Sequence, residues 1–178
     1  MKRNRRIGTS MSGIAQFICN RGPERFVQWC EEGYNHLKEC DEKISKEFGI
    51  NESIKLTSIK PSGTVSLLAG ATPGIHFPHS NNYIRRIRLS ADSDLLYPIQ
   101  EAGCKIEDDE MSGTGTKVVE IPVSLGKNML SLKDVKIKKQ LEIAALAQRH
   151  WADNQVSCTV TFDPETEGSK IPELLNEF

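Results

Sequence analysis

The sequence predicts an α/β fold, on three observations: a long amphipathic helical period from Pro23 to Phe48, alternating β-branched stretches separated by helical ones, and a strand that runs through a glycine turn into a short helix near residue 60. With 178 residues and 38% hydrophobic content, the chain is expected to form a single domain, 1–178, able to bury roughly two thirds of its unfolded surface.

In the first long helix Phe26, Cys30, Tyr34, Leu37, Cys40, Ile44 and Phe48 recur every three or four residues and so share one face. Pro23 suits the first turn and Gly49 the stop. Cys30 and Cys40 fall in that apolar seam and read as packing residues. Ser53 to Lys60 sets Ile54 and Leu56 against Lys55 and Thr57, the period of a strand, and leads through Pro61-Ser62-Gly63-Thr64-Val65-Ser66 into the apolar Leu67-Leu68-Ala69. Ala71-Thr72-Pro73-Gly74 is a turn. Asn82 to Leu89 reads as a strand with Tyr83, Arg85, Ile87 and Leu89 on one side, and Ala91 to Ala102 as a helix closed by Gly103. Met111 to Thr116 is a loop, and Lys117 to Ser124 a strand in which Pro122 argues for an edge position or an early end. Ser131 is expected to cap a second long helix reaching about Trp151, with Val135, Leu141, Ala145 and Leu146 among its buried positions. Val156 to Phe162, β-branched and alternating, is expected to form a last strand.

The formal net charge is −1, with 26% charged residues, so there is no global pull toward nucleic acid or membrane and any anion site must be local. The basic start, Met1 to Arg6, is not followed by the apolar core of a secretory signal, and no apolar run approaches the length of a membrane span. A cytoplasmic location is the default expectation. Cys19, Cys30, Cys40, Cys104 and Cys158 are odd in number and lack C-x-x-C spacing, so they read as reduced thiols.

The turn Pro61 to Ser66 carries the most chemistry. A strand that ends in Ser-Gly-Thr and opens a helix exposes unpaired backbone N–H groups beside hydroxyl donors, with the helix dipole adding positive potential. Gly63 lets an anion approach the backbone, while Ser62, Thr64 and Ser66 each offer a hydroxyl. The G-x-x-x-x-G-K-[ST] spacing of a P-loop is missing. The same residues also suit a plain helix N-cap, in which the hydroxyls satisfy their own backbone.

Family motifs bear on that choice. The run Lys60-Pro-Ser-Gly-Thr-Val-Ser-Leu-Leu-Ala-Gly-Ala-Thr-Pro-Gly-Ile-His-Phe-Pro-His79, with Tyr83-Ile-Arg-Arg-Ile-Arg88, resembles the adenosylcobalamin-dependent (class II) ribonucleotide reductases of the ribonucleoside-triphosphate type. Arg5-Arg-Ile-Gly-Thr-Ser-Met-Ser-Gly13 resembles the family's Arg-Arg-x-Gly loop, and Trp151-Ala-Asp-Asn-Gln-Val-Ser-Cys-Thr-Val160 the segment leading into a late barrel strand. The resemblance implies a ten-stranded α/β barrel of which this chain supplies the later part. It also implies that Ser62, Gly63, Thr64 and Ser66 hold the phosphates of a ribonucleoside triphosphate.

The implied reaction removes the ribose 2′-hydroxyl by thiyl-radical chemistry started by adenosylcobalamin, with a thioredoxin-type reductant serving the whole enzyme. The family's Asn-x-Cys-x-Glu finger, which bears the radical cysteine, does not occur in these residues, nor does its carboxy-terminal cysteine pair. No catalytic residue is therefore assigned here, and an upstream reductase polypeptide carrying the finger is the expected partner. Two readings follow: a part of a reductase, or a standalone phosphate- or nucleotide-binding module without catalysis. The di-iron and glycyl-radical branches of the superfamily are a weaker third.

His76 and His79, three apart among prolines and glycine, make a poor metal pair. The resemblance associates their loop with the cobalamin and assigns it no contact. Arg85, Arg86 and Arg88 either steer a triphosphate or form ion pairs with Asp92, Asp94 and the acidic run Glu107 to Glu110.

Overall fold

The computed structural model describes residues 5–111 and 115–178. The first four residues of the basic start and the middle of the Met111–Thr116 loop lie outside the described residues. In chain order the elements are β1 (Arg6–Thr9), α1 (Ile14–Arg21), α2 (Pro23–Phe48), β2 (Lys55–Thr57), α3 (Val65–Leu68), β3 (Asn82–Ser90), α4 (Leu96–Glu101), β4 (Lys105–Asp108), β5 (Thr116–Ser124), α5 (Ile137–His150), α6 (Pro164–Glu167) and α7 (Ile171–Glu177). They divide between two compact units, residues 1–79 with 127–178, and residues 80–126.

The first unit is built on α2. Pro23 opens it, and Gly49 closes it in the left-handed region at φ 63°. Phe26 and Cys30 are buried as the periodicity predicts. Farther along, the buried positions are Asp41 and Ser45, while Ile44 and Phe48 are exposed. The cause is Arg5, whose guanidinium pairs with Asp41 at 3.0 Å and donates to Ser45 Oγ at 2.7 Å. Asp41 also accepts from the Ser53 backbone and hydroxyl, at 2.6 and 2.8 Å. A satisfied polar cluster thus replaces the apolar seam at this end.

β1 and β2 pair in parallel. Leu56, Thr57, Ser58 and Ile59 are all buried, as in a strand covered on both faces. The turn after α5 locks onto this strand. Asp153 accepts from Leu56 N–H at 2.8 Å and from Tyr34 Oη at 2.7 Å, and Trp151 Nε1 donates to Ser58 O at 3.2 Å. Asn154 Nδ2 spans both strands, donating to Ile7 O at 3.0 Å and Thr57 O at 2.7 Å.

Two expectations for this unit are corrected. Ser131 does not cap α5. It caps the single 3₁₀ turn Leu132–Asp134, with its N–H and hydroxyl both donating to Asp134, and α5 starts from Lys136. α5 buries Ile137, Gln140, Ile143 and Ala147, which rotates its core face away from Leu141 and Ala145. The strand expected over Val156 to Phe162 reduces to one parallel bridge, Ile59 with Val156, held by Ser157 N–H on Ile59 O at 2.9 Å. Beyond it the described residues offer no neighbouring strand, and β propensity without a ladder partner does not make a strand.

The second unit is an antiparallel sheet in the order β3-β5-β4. β3 alternates as expected, with Tyr83, Arg85, Ile87 and Leu89 on the more buried side. β5 is the central strand, which corrects the edge position inferred from Pro122. The proline is accommodated because β4 pairs only with Lys117 to Glu120, so at Pro122 only β3 lies alongside. The helix expected from Ala91 is shorter, confined to α4.

Candidate phosphate-binding site

Three segments meet around the turn after β2: residues 10–14, 60–66 and 71–74. Lys60 N–H donates to Ser10 Oγ at 2.8 Å, and Ser12 Oγ lies 2.7 Å from Ser62 Oγ. Ser62 Oγ also accepts from Gly74 N–H at 2.9 Å. Gly13 N–H donates to Thr72 O at 2.8 Å and Ile14 N–H to Gly74 O at 3.1 Å, so the first turn of α1 is tied to the 71–74 strap. Gln16 completes the attachment by accepting from Thr72 N–H at 2.7 Å.

Within this frame the four predicted residues have distinct positions. Gly63 and Thr64 are exposed, and a Cβ at Gly63 would meet nothing within 4 Å. Thr64 occupies the N-cap position of α3 yet makes no side-chain capping bond. Its hydroxyl is therefore not spent in the way the N-cap reading requires. Ser62 is half-buried with φ 51°, an uncommon left-handed conformation for a residue with a side chain. Ser66 is buried, and its hydroxyl finds no partner among the described atoms. α3 is one turn long, too short for the macrodipole contribution expected from the sequence.

Sequence reasoning missed Ser10, Ser12, Gly74 and Gln16. The first two lie inside the Arg5 to Gly13 motif, but nothing in their spacing indicates contact with a turn fifty residues away.

His76 spends both ring nitrogens on structure. Nδ1–H donates to Pro73 O at 3.0 Å, and Nε2 accepts from Thr159 N–H at 3.0 Å. His79 is exposed, and among the described residues no cluster suited to a metal occurs. In the second unit, Arg86 pairs with Glu107 at 2.9 Å and Glu120 at 3.3 Å, and Arg88 with the buried Asp109 at 2.6 Å. Glu107 is held below the usual carboxylate range, first by the hydrogen bond and charge of Lys105, then by Arg86. A cavity of about 670 Å³ beside these pairs is lined by Arg86 and Arg88 but also by Glu107, Asp108, Asp109 and Glu110. Acidic side chains outnumber the two arginines in this lining, and Arg86 and Arg88 form the ion pairs expected with the 107–110 run, while among the described residues neither pairs with Asp92 or Asp94.

A fold of this kind, with a Ser-Gly-Thr turn after a parallel strand, has a solved counterpart. The structure described as a B-12 dependent (class II) ribonucleotide reductase superposes with a TM-score of 0.84 at 34% identity, covering 98% of this chain and 28% of that one. In sequence, the chain is 52% identical over all 178 residues to the adenosylcobalamin-dependent ribonucleoside-triphosphate reductase of Euglena gracilis, of which it covers 24%. It is 34% identical to the enzyme of the same name from Lactobacillus leichmannii, covering 28% of it. No family model matches. The resemblance read from the motifs thus extends along the whole chain, which spans about a quarter of the length of the curated relatives it matches. No helix among the described residues is long and apolar enough to cross a membrane.

Proposed function

We propose that this chain is part of an adenosylcobalamin-dependent ribonucleoside-triphosphate reductase and supplies the loop that grips the substrate's phosphates. The observation that carries the reading is the turn Ser62 to Ser66: Gly63 and Thr64 face solvent, and the Thr64 side chain makes no capping bond. Such a turn offers an oxyanion the exposed Thr64 hydroxyl and open space beside Gly63. Ser62, Gly63, Thr64 and Ser66 are the proposed ligands, Ser66 from the buried side with its unspent hydroxyl.

Both compact units belong, on this reading, to one fragment of the catalytic domain, the later part of a ten-stranded α/β barrel. Two features support it: among the described residues the outer edge of β1 has no partner strand, and the extended run after Val156 has none either. An upstream polypeptide with the Asn-x-Cys-x-Glu finger would cover them and bring the radical cysteine, with a thioredoxin-type reductant regenerating the whole enzyme. Adenosylcobalamin would supply the radical. His76, in the loop that the resemblance associates with the cofactor, has both ring nitrogens engaged by Pro73 and Thr159, so it is not offered as a contact. No step is assigned to this chain beyond holding the phosphates.

Calorimetric titration with a ribonucleoside triphosphate tests the proposal, with and without an upstream fragment bearing the finger. Binding abolished by Thr64→Ala, together with deoxyribonucleotide formation on adding the fragment and cofactor, is expected. Binding that survives Thr64→Ala would refute the loop assignment, and a nucleotide-binding chain that never supports turnover would favour the standalone module.

A further inference from the structure

Resting on the phosphate reading above, we infer that Ser12 is a further anion-binding residue that takes the direct contact assigned above to Ser62, and that Ser62 acts mainly through it. The argument is a count of protons. A serine hydroxyl has one hydrogen to donate and two lone pairs to accept with. Ser62 Oγ accepts one bond from Gly74 N–H and shares a second, 2.7 Å long, with Ser12 Oγ. Between the two hydroxyls there are two hydrogens and one shared bond, so one hydrogen is always left over.

Which hydroxyl keeps it depends on the direction of the shared bond. If Ser12 donates, Ser62 accepts twice and its own hydrogen is spare. If Ser62 donates, the spare hydrogen is on Ser12. Ser12 is exposed, whereas Ser62 is half-buried under the 71–74 strap. An anion arriving from solvent therefore meets Ser12 first and selects the second direction. The donors then run in one line: Gly74 N–H to Ser62 Oγ, Ser62 O–H to Ser12 Oγ, Ser12 O–H to a phosphoryl oxygen. Each bond polarises the next toward the negative charge. The left-handed backbone of Ser62 is consistent with this assignment, since it sets the hydroxyl between Gly74 and Ser12.

The assignment also explains why the loop of residues 10–14 is fastened to the turn at two places, through Ser10 to Lys60 and through Gly13 to Thr72. Two anchors flanking Ser12 hold its hydroxyl in register with Gly63 and Thr64.

The test is calorimetric binding of inorganic tripolyphosphate to the whole chain and to its variants Ser12→Ala, Ser12→Thr, Ser62→Ala and Thr64→Ala, each checked for folding by far-UV circular dichroism. Losing one hydrogen bond to a charged group corresponds to roughly a ten- to hundredfold weaker binding, expected for Ser12→Ala, with Ser12→Thr close to the parent. Ser62→Ala should weaken binding less than Ser12→Ala, because Ser12 can still donate. If Thr64→Ala weakens binding and Ser12→Ala leaves it within about twofold, the role of Ser12 is overturned while the phosphate loop stands. If the parent chain does not bind, or Thr64→Ala has no effect, the phosphate reading fails and this inference with it.

Discussion

Gly74 passes so close to Lys60 that a Cβ at position 74 would stand 2.6 Å from the Lys60 carbonyl oxygen, and its φ of 47° is itself a left-handed value. Gly74→Ala therefore meets rigid backbone on one side and conformational strain on the other. A loss of about 2–4 kcal/mol in urea unfolding is expected. Gly63 is the contrasting case: its surroundings are open and its φ is not positive, so Gly63→Ala should leave stability within about 1 kcal/mol of the parent. Triphosphate binding by that variant should nonetheless fall, because the added methyl occupies the space through which an anion reaches the backbone. Unchanged binding by Gly63→Ala would argue against close anion approach at this turn.

The contrast marks what the sequence made legible. The bounds of α2 were readable because Pro23 and Gly49 are local signals, but its buried face was readable only in the first turns, since Asp41 and Ser45 are buried farther along where Ile44 and Phe48 were expected. The alternation of β3, whose faces differ in burial, was also readable. The turn at Ser62 to Ser66 was legible as a motif, but its frame was not. Ser12 and Gly74 join it through contacts between segments distant in sequence, which no local pattern encodes. The exposed strand β1 was invisible for a related reason: all four of its residues face solvent, so no apolar alternation announces it. Val156 to Phe162 failed in the opposite direction, since its pattern is present and its partner strand is not.

Ser62 holds a left-handed backbone for the sake of its hydroxyl bonds. Ser62→Ala keeps the strain and loses the bond from Gly74 N–H, whereas Ser62→Gly loses the same bond and relieves the strain. Ser62→Gly should therefore be the more stable of the two, by about 1 kcal/mol. Thermal melts of the pair decide this, and the reverse order would mean that the backbone at 62 is not strained.

Arg88 covers a carboxylate, Asp109, that is only 4% exposed. Arg88→Ala should destabilise the 80–126 unit by about 1–3 kcal/mol, since it leaves a buried charge with fewer donors. Arg86→Ala, at a pair more open to water, should cost about 1 kcal/mol or less. Neither should weaken triphosphate binding more than about twofold, for the arginines face the acidic side chains of their own sheet. A large loss of binding in either variant would restore the steering role.

Cys30 gives the fold an alkaline limit. Its side chain is fully buried, and that burial, with a smaller push from the Glu31 charge, raises the thiol from its ordinary 9.0 to about 12. An acid raised in the folded state stabilises the fold fully below its ordinary value, and the contribution is lost as pH rises through 9 toward 12. The stability difference between the parent and Cys30→Ala should accordingly stay constant up to about pH 9 and then shrink, by up to about 1.4 kcal/mol per pH unit. Urea melts of both proteins at pH 8, 9, 10 and 11 measure it. Iodoacetamide at pH 8 gives an independent check, because the exposed Cys158 should be alkylated in the native protein while Cys30 is protected until urea unfolds it. A parallel pH dependence in the two proteins, or native labelling of Cys30 at the rate of Cys158, would mean that the thiol is not sealed in the α2 core.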